Sequence, residues 1–187
     1  MNLDDAIMVL NVKLNEEMRQ NIINYIEYRA DKPMMIRGKG SQGDIDKSIR
    51  DVNGFTLNDS SISDKIYFRH IMNEIFTYLP NYNVKFSFNH ARKLNQVDLL
   101  KYKPGGKYEV HVDNDTSAYR TLSCIINLND DYKGGDLVFF NPINKEEYKR
   151  VKCKSGTIIF FPSTFLFPHS IEPITKGVRY SIVSWLL

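Results

Sequence analysis

His111-Val112-Asp113 is followed, after a long gap, by His169, and then by Arg179 ten residues later. Two imidazoles and one carboxylate make a face that holds divalent iron and leaves coordination positions open for oxygen chemistry. An arginine beyond the second histidine can hold the far carboxylate of a dicarboxylic cosubstrate through a bidentate pair. Alone, an H-x-D tripeptide says little. The later histidine, the arginine and a strand-rich context around them give it weight.

These residues must be positioned by strands. Residues 107–113 alternate in the manner of a strand, so His111 and Asp113 leave one face while Val112 leaves the other. His169 then has to come from a strand distant in sequence. In the last run, 178–186, period two places Arg179, Ser181, Val183 and Trp185 together. An arginine facing an interior requires an anion, because an unpaired buried charge is costly. Ser181 can add a hydroxyl donor to the same oxygen pair. An internal acid on an outer face is the alternative partner for Arg179. Within residues 120–128 the even positions Leu122, Cys124, Ile126 and Leu128 are wholly apolar and should pack under helices. The odd positions Thr121, Ser123, Ile125 and Asn127 should line the interior. Asn127 is either a ligand of the cosubstrate carboxylate or a water-facing amide.

The rest of the chain frames this core. Residues 15–29 read as a helix capped by Asn15, with Met18, Ile22 and Ile26 as its apolar stripe. Residues 63–79 read as a second helix, with Ile71, Ile75 and Leu79 at helical spacing and Pro80 as its stop. Between them, residues 31–51 carry Pro33, Gly38, Gly40 and Gly43 and read as a loop able to close over substrate. From Val84 onward, nine short runs recur between turn signals: 84–88, 96–102, 107–113, 120–128, 136–140, 148–152, 157–161, 167–173 and 178–186. Two helices ahead of about eight strands predict an α+β chain dominated by a jelly roll, with the helices packed outside one sheet. The expected organisation is one domain over 1–187, with helical support and loop in 1–83 and the sheet core in 84–187.

Composition narrows the function classes. The 187 residues carry a net charge of +3, with 42% hydrophobic and 25% charged residues, as expected of a globular protein rather than a bulk polyanion binder. The tract 90–107 is locally basic, and a solvated strand edge explains it better than an acidic substrate does. Cys124 and Cys153 are too few for a disulfide framework, and Cys124 sits in an apolar run as a buried thiol. No apolar stretch reaches the roughly 18 residues of a membrane span. The N-terminus has acids where a leader peptide has basic residues. A reducing cytoplasmic setting is therefore expected. His70 reads as a solvated helix residue, and His90 as a polar strand-edge residue with a lesser chance of facing substrate.

The runs Y-K-P-G-G-K-Y-E-V-H-V-D-N, R-T-L-S-C-I-I-N-L-N, G-G-D-L-V-F-F, S-G-T-I-I-F-F-P, P-H-S-I-E-P-I and G-V-R-Y-S-I-V-S-W, spread over residues 102–185, resemble the prolyl-4-hydroxylase branch of the Fe(II)/2-oxoglutarate oxygenases. The resemblance implies a double-stranded β-helix. It makes His111, Asp113 and His169 the iron ligands and Arg179 the anchor of the 2-oxoglutarate C5 carboxylate. Tyr102 matches a tyrosine near the cosubstrate. Tyr108 matches one near the iron that can face substrate, and Trp185 is grouped with it on the substrate side. Collagen-type members have lysine at the position of Arg179 and threonine at that of Leu137, which aligns the chain with the hypoxia-sensing and bacterial members. Those members have tyrosine at the position of Asn127. The retained Asp113 excludes the halogenase variant, whose carboxylate position is emptied for halide.

The implied activity is hydroxylation of a prolyl residue in a protein or peptide, with release of succinate and CO2. It needs Fe(II), 2-oxoglutarate and O2, with ascorbate as reductant. A free amino acid, small metabolite or nucleobase is the alternative substrate, and a non-catalytic jelly-roll binding module is the rival outside catalysis. Nucleic acid is disfavoured, since the basic tract brings only Tyr102 and Tyr108 as stacking aromatics.

Overall fold

The computed structural model describes residues 2–12, 14–36, 44–87, 89, 91–114 and 119–187. A 3-10 turn at Leu3–Ala6 leads to β1 (Met8–Asn11), α1 (Glu16–Arg29), the short strands β2 (Arg50–Asp51) and β3 (Asn53–Thr56), and α2 (Ile62–Lys85). Then come β4 (Leu94–Tyr102), β5 (Lys107–His111), β6 (Leu122–Asn127), β7 (Lys133–Gly134), β8 (Leu137–Phe140), β9 (Glu147–Val151), β10 (Thr157–Pro162), β11 (His169–Ile171), β12 (Ile174–Lys176) and β13 (Arg179–Leu186).

A six-stranded sheet runs β1-β10-β6-β13-β4-β3, and a five-stranded one runs β2-β5-β11-β8-β9. Both are antiparallel throughout, and β7 pairs separately with β12. The chain passes between the two large sheets repeatedly, so β4, β6, β10 and β13 form the centre of one while β5, β8, β9 and β11 form the other. This is the double-stranded β-helix. The turn from β4 to β5 is made by Pro104-Gly105, where Gly105 adopts φ 87° and Gly106 N–H donates to Lys103 O at 2.8 Å.

Two cores hold the layers together. In one, Ile22 and Ile26 of α1 and Ile71, Ile75 and Leu79 of α2 pack on Leu122, Cys124 and Ile126 of β6. The helices therefore cover one sheet, and the even positions of β6 face them, as the alternation predicts. The other core lies between the sheets, where Leu100, Ile125 and Ile159 meet Leu137, Phe139 and Ile171. Asn15 caps α1, its Oδ1 accepting from Glu17 N–H at 2.8 Å. Ser61 caps α2, its Oγ accepting from Asp64 N–H at 3.2 Å.

Several expectations are corrected. Pro80 does not end α2, which continues to Lys85. A proline inside a helix costs about 3 kcal/mol. Tyr82, two residues on, offsets that cost by burying its ring near Phe160 and donating its hydroxyl to Ala6 O at 3.1 Å. Burial and hydrogen bond together contribute roughly 3 kcal/mol. The run at 84–88 is accordingly no strand, since Val84 and Lys85 close the helix and Val84 is exposed. Three strands precede it, so residues 1–83 are more than helical support: β1 and β3 edge the larger sheet and β2 edges the smaller one. Within 31–51, Pro33 bridges to Asn53 and Ile36 to Asp44. Residues 37–43, the centre of the expected lid, lie outside the described residues, as does His90. His70 is exposed on α2.

Candidate metal and cosubstrate site

His111 ends β5, and His169 begins β11 as its direct cross-strand partner. Asp113 lies two residues past the end of β5, not on the strand as the alternation suggests, yet its carboxylate returns to the same point. His111 Nε2 stands 3.6 Å from Asp113 Oδ1, and His169 Nε2 stands 3.6 Å from Asp113 Oδ2. One ligand atom from each residue lies within 4.8 Å of the others. Val112 turns outward, as predicted, and is exposed.

The backbone prepares both imidazoles. His111 Nδ1 lies 2.8 Å from Glu109 O, and His169 Nδ1 lies 3.0 Å from Phe167 O. A carbonyl can only accept, so each Nδ1 carries the proton and each Nε2 keeps its lone pair for a metal. Burial, with His111 beside it, pushes His169 down to about 4, so it is neutral at physiological pH. Burial alone would raise the Asp113 carboxyl. His169, His111 and the Ser123 hydroxyl outweigh it and hold the group well below the usual carboxylate range. An anionic carboxylate beside two imidazoles that turn Nε2 toward it is the donor set a divalent iron takes.

Arg179 lines the same cleft, which also borders Tyr102, Tyr108 and Trp185. It is 1% exposed. Its Nη2 donates to Asn127 Oδ1 at 3.1 Å and to Cys153 Sγ at 3.5 Å, and its guanidinium lies 5.1 Å from the centre of the Tyr102 ring. Among the described residues no carboxylate pairs with it, and its buried Nε has no hydrogen-bond partner. Ser181, next on the same face of β13, has a fully buried hydroxyl with no partner either. A buried cation and an orphaned hydroxyl together are the complement of a carboxylate. The residues present therefore fit both 2-oxoglutarate and Fe(II). No described acid supports the internal-acid alternative for Arg179.

Asn127 is not water-facing. At 1% exposure it donates from Nδ2 to Thr157 Oγ1 at 3.0 Å and turns its oxygen to Arg179. Tyr102 is buried, and burial raises its phenol against the pull of Arg179 and Arg50, so it stays a neutral donor. Tyr108 stacks on His111 with ring centroids 3.6 Å apart. Trp185 is buried, with Arg120 packed 3.6 Å over its ring.

Sequence reasoning missed several neighbours. Arg50 of β2 lies 4.7 Å over Tyr108 and lines the cleft. Arg120 donates to Asp113 O at 3.1 Å. Tyr132, whose phenol burial pushes up to about 12, and Cys153 close the floor around Arg179. These residues come from loops and edges whose local pattern carries no signal. Ser123 had one, its place on the polar face of β6. Two of the five basic residues in the tract 90–107 are paired with acids, Lys101 with Glu27 and Lys107 with Glu109. A wider groove of about 740 Å³ between α1 and α2 holds no comparable ligand set.

The sequence model of the 2OG-Fe(II) oxygenase superfamily matches residues 97–187, which include the triad and Arg179. That stretch, just under half of the chain, is similar to members of the 2OG-Fe(II) oxygenase superfamily. A PKHD-type hydroxylase of Aliarcobacter butzleri is 38% identical over 96 residues, 46% of this chain and 40% of that protein. A PKHD-type hydroxylase of Prochlorococcus marinus is 34% identical over 134 residues, 70% of this chain and 57% of that one. The chain thus spans about half the length of the curated relatives it matches. In fold it is similar to a Trichoplax adhaerens prolyl hydroxylase solved with a hypoxia inducible factor peptide fragment, at TM-score 0.76 and 16% identity over 97% of this chain and 83% of that one. A Pseudomonas putida prolyl-4-hydroxylase matches at TM-score 0.70 and 19% identity, over 98% of this chain and 95% of that one. The likeness in fold thus extends over the N-terminal helices and strands that the family match omits.

Proposed function

We propose that the chain is an Fe(II)- and 2-oxoglutarate-dependent dioxygenase that hydroxylates a prolyl residue in a protein or peptide, with succinate and CO2 as co-products. The observation that carries the oxygenase reading is the buried Arg179, unpaired with any described carboxylate, in one cleft with an imidazole–imidazole–carboxylate triad. The prolyl reading is supported by the prolyl hydroxylases of the same fold and by the PKHD-type hydroxylase relatives.

In this reading His111, Asp113 and His169 hold the metal. Arg179 and Ser181 take the far carboxylate of the cosubstrate, with Asn127 steadying the guanidinium and Tyr102 flanking it. When bound, iron and 2-oxo acid supply O2 activation coupled to oxidative decarboxylation. The chain's own work is to orient the cosubstrate and keep water from the reacting centre. The buried Phe139 and Phe161 rings against His169 contribute to the latter. Tyr108 and Trp185 form the wall that a peptide would meet. No helix among the described residues is long and apolar enough to cross a membrane. A cytoplasmic location, with ascorbate as reductant, suits the two free cysteines and the need to keep iron ferrous.

The test is succinate formation from 2-oxoglutarate with Fe(II), ascorbate, O2 and proline-containing peptides, beside His111→Ala and Arg179→Met. Peptide-stimulated succinate lost in both variants is expected. Fe(II)-dependent 2-oxoglutarate binding without stimulation by any proline peptide would overturn the prolyl assignment and leave the oxygenase class intact. No such binding at all would overturn the class.

A further inference from the structure

We propose that Ser123, backed by Ser163, is a positioning residue that makes Asp113 bind the metal through a single oxygen. The inference rests on the oxygenase reading of the triad. Ser123 Oγ lies 2.6 Å from Asp113 Oδ2, and Ser163 Oγ lies 2.8 Å from Ser123 Oγ. Ser123 and Ser163 are 0% and 1% exposed, so water cannot stand in for either hydroxyl. An ionised carboxylate only accepts, so Ser123 must spend its one proton on Asp113. Its oxygen is then free to receive the proton of Ser163. The direction of the chain is therefore Ser163 to Ser123 to Asp113.

The serines are also tied to the backbone of the ligand. Ser123 sits in β6 opposite Phe161 of β10, and Ser163 follows that strand directly. Asn114 N–H donates to Ser163 O at 2.9 Å, and Ser163 N–H donates to Thr121 O at 3.1 Å. Arg120 holds Asp113 O from the other side. The carboxylate is thus gripped at both its main chain and its side chain.

The triad geometry alone does not choose between the two carboxylate oxygens. Oδ1 and Oδ2 stand at the same 3.6 Å from His111 Nε2 and His169 Nε2, respectively. The Ser123 hydroxyl breaks that symmetry by engaging Oδ2 and leaving Oδ1 to the metal. The consequence is functional. In a six-coordinate site, two imidazoles and a bidentate carboxylate would leave two positions, both needed to chelate a 2-oxo acid. A monodentate carboxylate keeps the third position that oxygen requires.

The experiment is a Co(II) titration of the anaerobic full chain, read by d–d absorption, for wild type, Ser123→Ala, Ser123→Thr and Ser184→Ala. Ser184 is an equally buried serine, with no hydroxyl partner, on the helix-facing side of β13, and serves as control. Ser123→Ala is expected to weaken Co(II) binding by about 10–100-fold, the usual effect of losing a partner to a metal ligand. It should also change the band shape, because the carboxylate is freed to chelate. Ser123→Thr should restore both, and Ser184→Ala should match wild type. Ser163→Ala, which keeps the Ser123 hydroxyl, should give a smaller shift of the same sign and covers the case in which Ser123→Ala fails to fold. A Ser123→Ala protein with wild-type affinity, or with weaker affinity and an unchanged spectrum, would overturn the proposal. No Co(II) uptake by wild type would overturn the metal reading, and this proposal with it.

Discussion

His111 and His169 face each other across the β5–β11 pair, with ring centroids 4.3 Å apart. Residues 58 positions apart thereby become a cross-strand pair, each ring fixed by a carbonyl two residues earlier in its own chain segment. Both Nε2 atoms are turned to Asp113.

A metal that binds the native fold and not the unfolded chain stabilises the fold. Mn(II) at about a hundred times its Kd should contribute about 2.7 kcal/mol. That corresponds to a Tm increase of about 5–10 °C for a chain of this size. His111→Ala should show no such increase, and differential scanning fluorimetry with and without Mn(II) checks it.

Arg179 separates binding from stability. Its guanidinium is buried without an acid among the described residues, so Arg179→Met should leave the apo protein as stable as wild type, or more so, in urea denaturation. The same change should weaken 2-oxoglutarate binding by at least about 30-fold, equivalent to about 2 kcal/mol. A large loss of apo stability would show that an internal anion had been missed.

Gly135 is a packing requirement of Arg179. It adopts φ 70°, and a Cβ there would sit 2.4 Å from Ile174 Cδ1 and 3.2 Å from Arg179 Cδ. Gly135→Ala should cost about 1–2 kcal/mol from the backbone alone. It should also raise the KM for 2-oxoglutarate while leaving Co(II) affinity unchanged. Urea denaturation and metal titration separate the two effects.

Two arginines on the surface of the fold should differ in weight. Arg29 pairs with the fully buried Asp64, which also accepts from Tyr25 Oη at 2.5 Å, and it lies 4.3 Å over the Phe55 ring. Arg29→Ala should destabilise by about 2–3 kcal/mol, because a buried carboxylate loses a charged donor. Arg150 bridges Glu147, Glu172 and Asp136 in the open, so Arg150→Ala should cost under about 1 kcal/mol, and less in high salt.

The sequence by itself singled out the candidate ligand set and the two-residue alternations. His111, Asp113, His169 and Arg179 were legible because rare side chains stood at informative spacing. The two faces of residues 120–128 and 179–185 were legible because strand period is local. The caps at Asn15 and the stripe of Ile22 and Ile26 were legible for the same reason. What only the tertiary structure decided depends on which strands become neighbours. The pairing of β5 with β11 set His111 against His169. Ser123 reached Asp113, and Cys153 and Tyr132 reached Arg179, through contacts between segments far apart in the chain. Pro80 stayed inside α2 because Tyr82 had a core to enter, and no helix propensity records that. Asp113 left its strand and still met the histidines because Ser123, Ser163 and Arg120 hold it there.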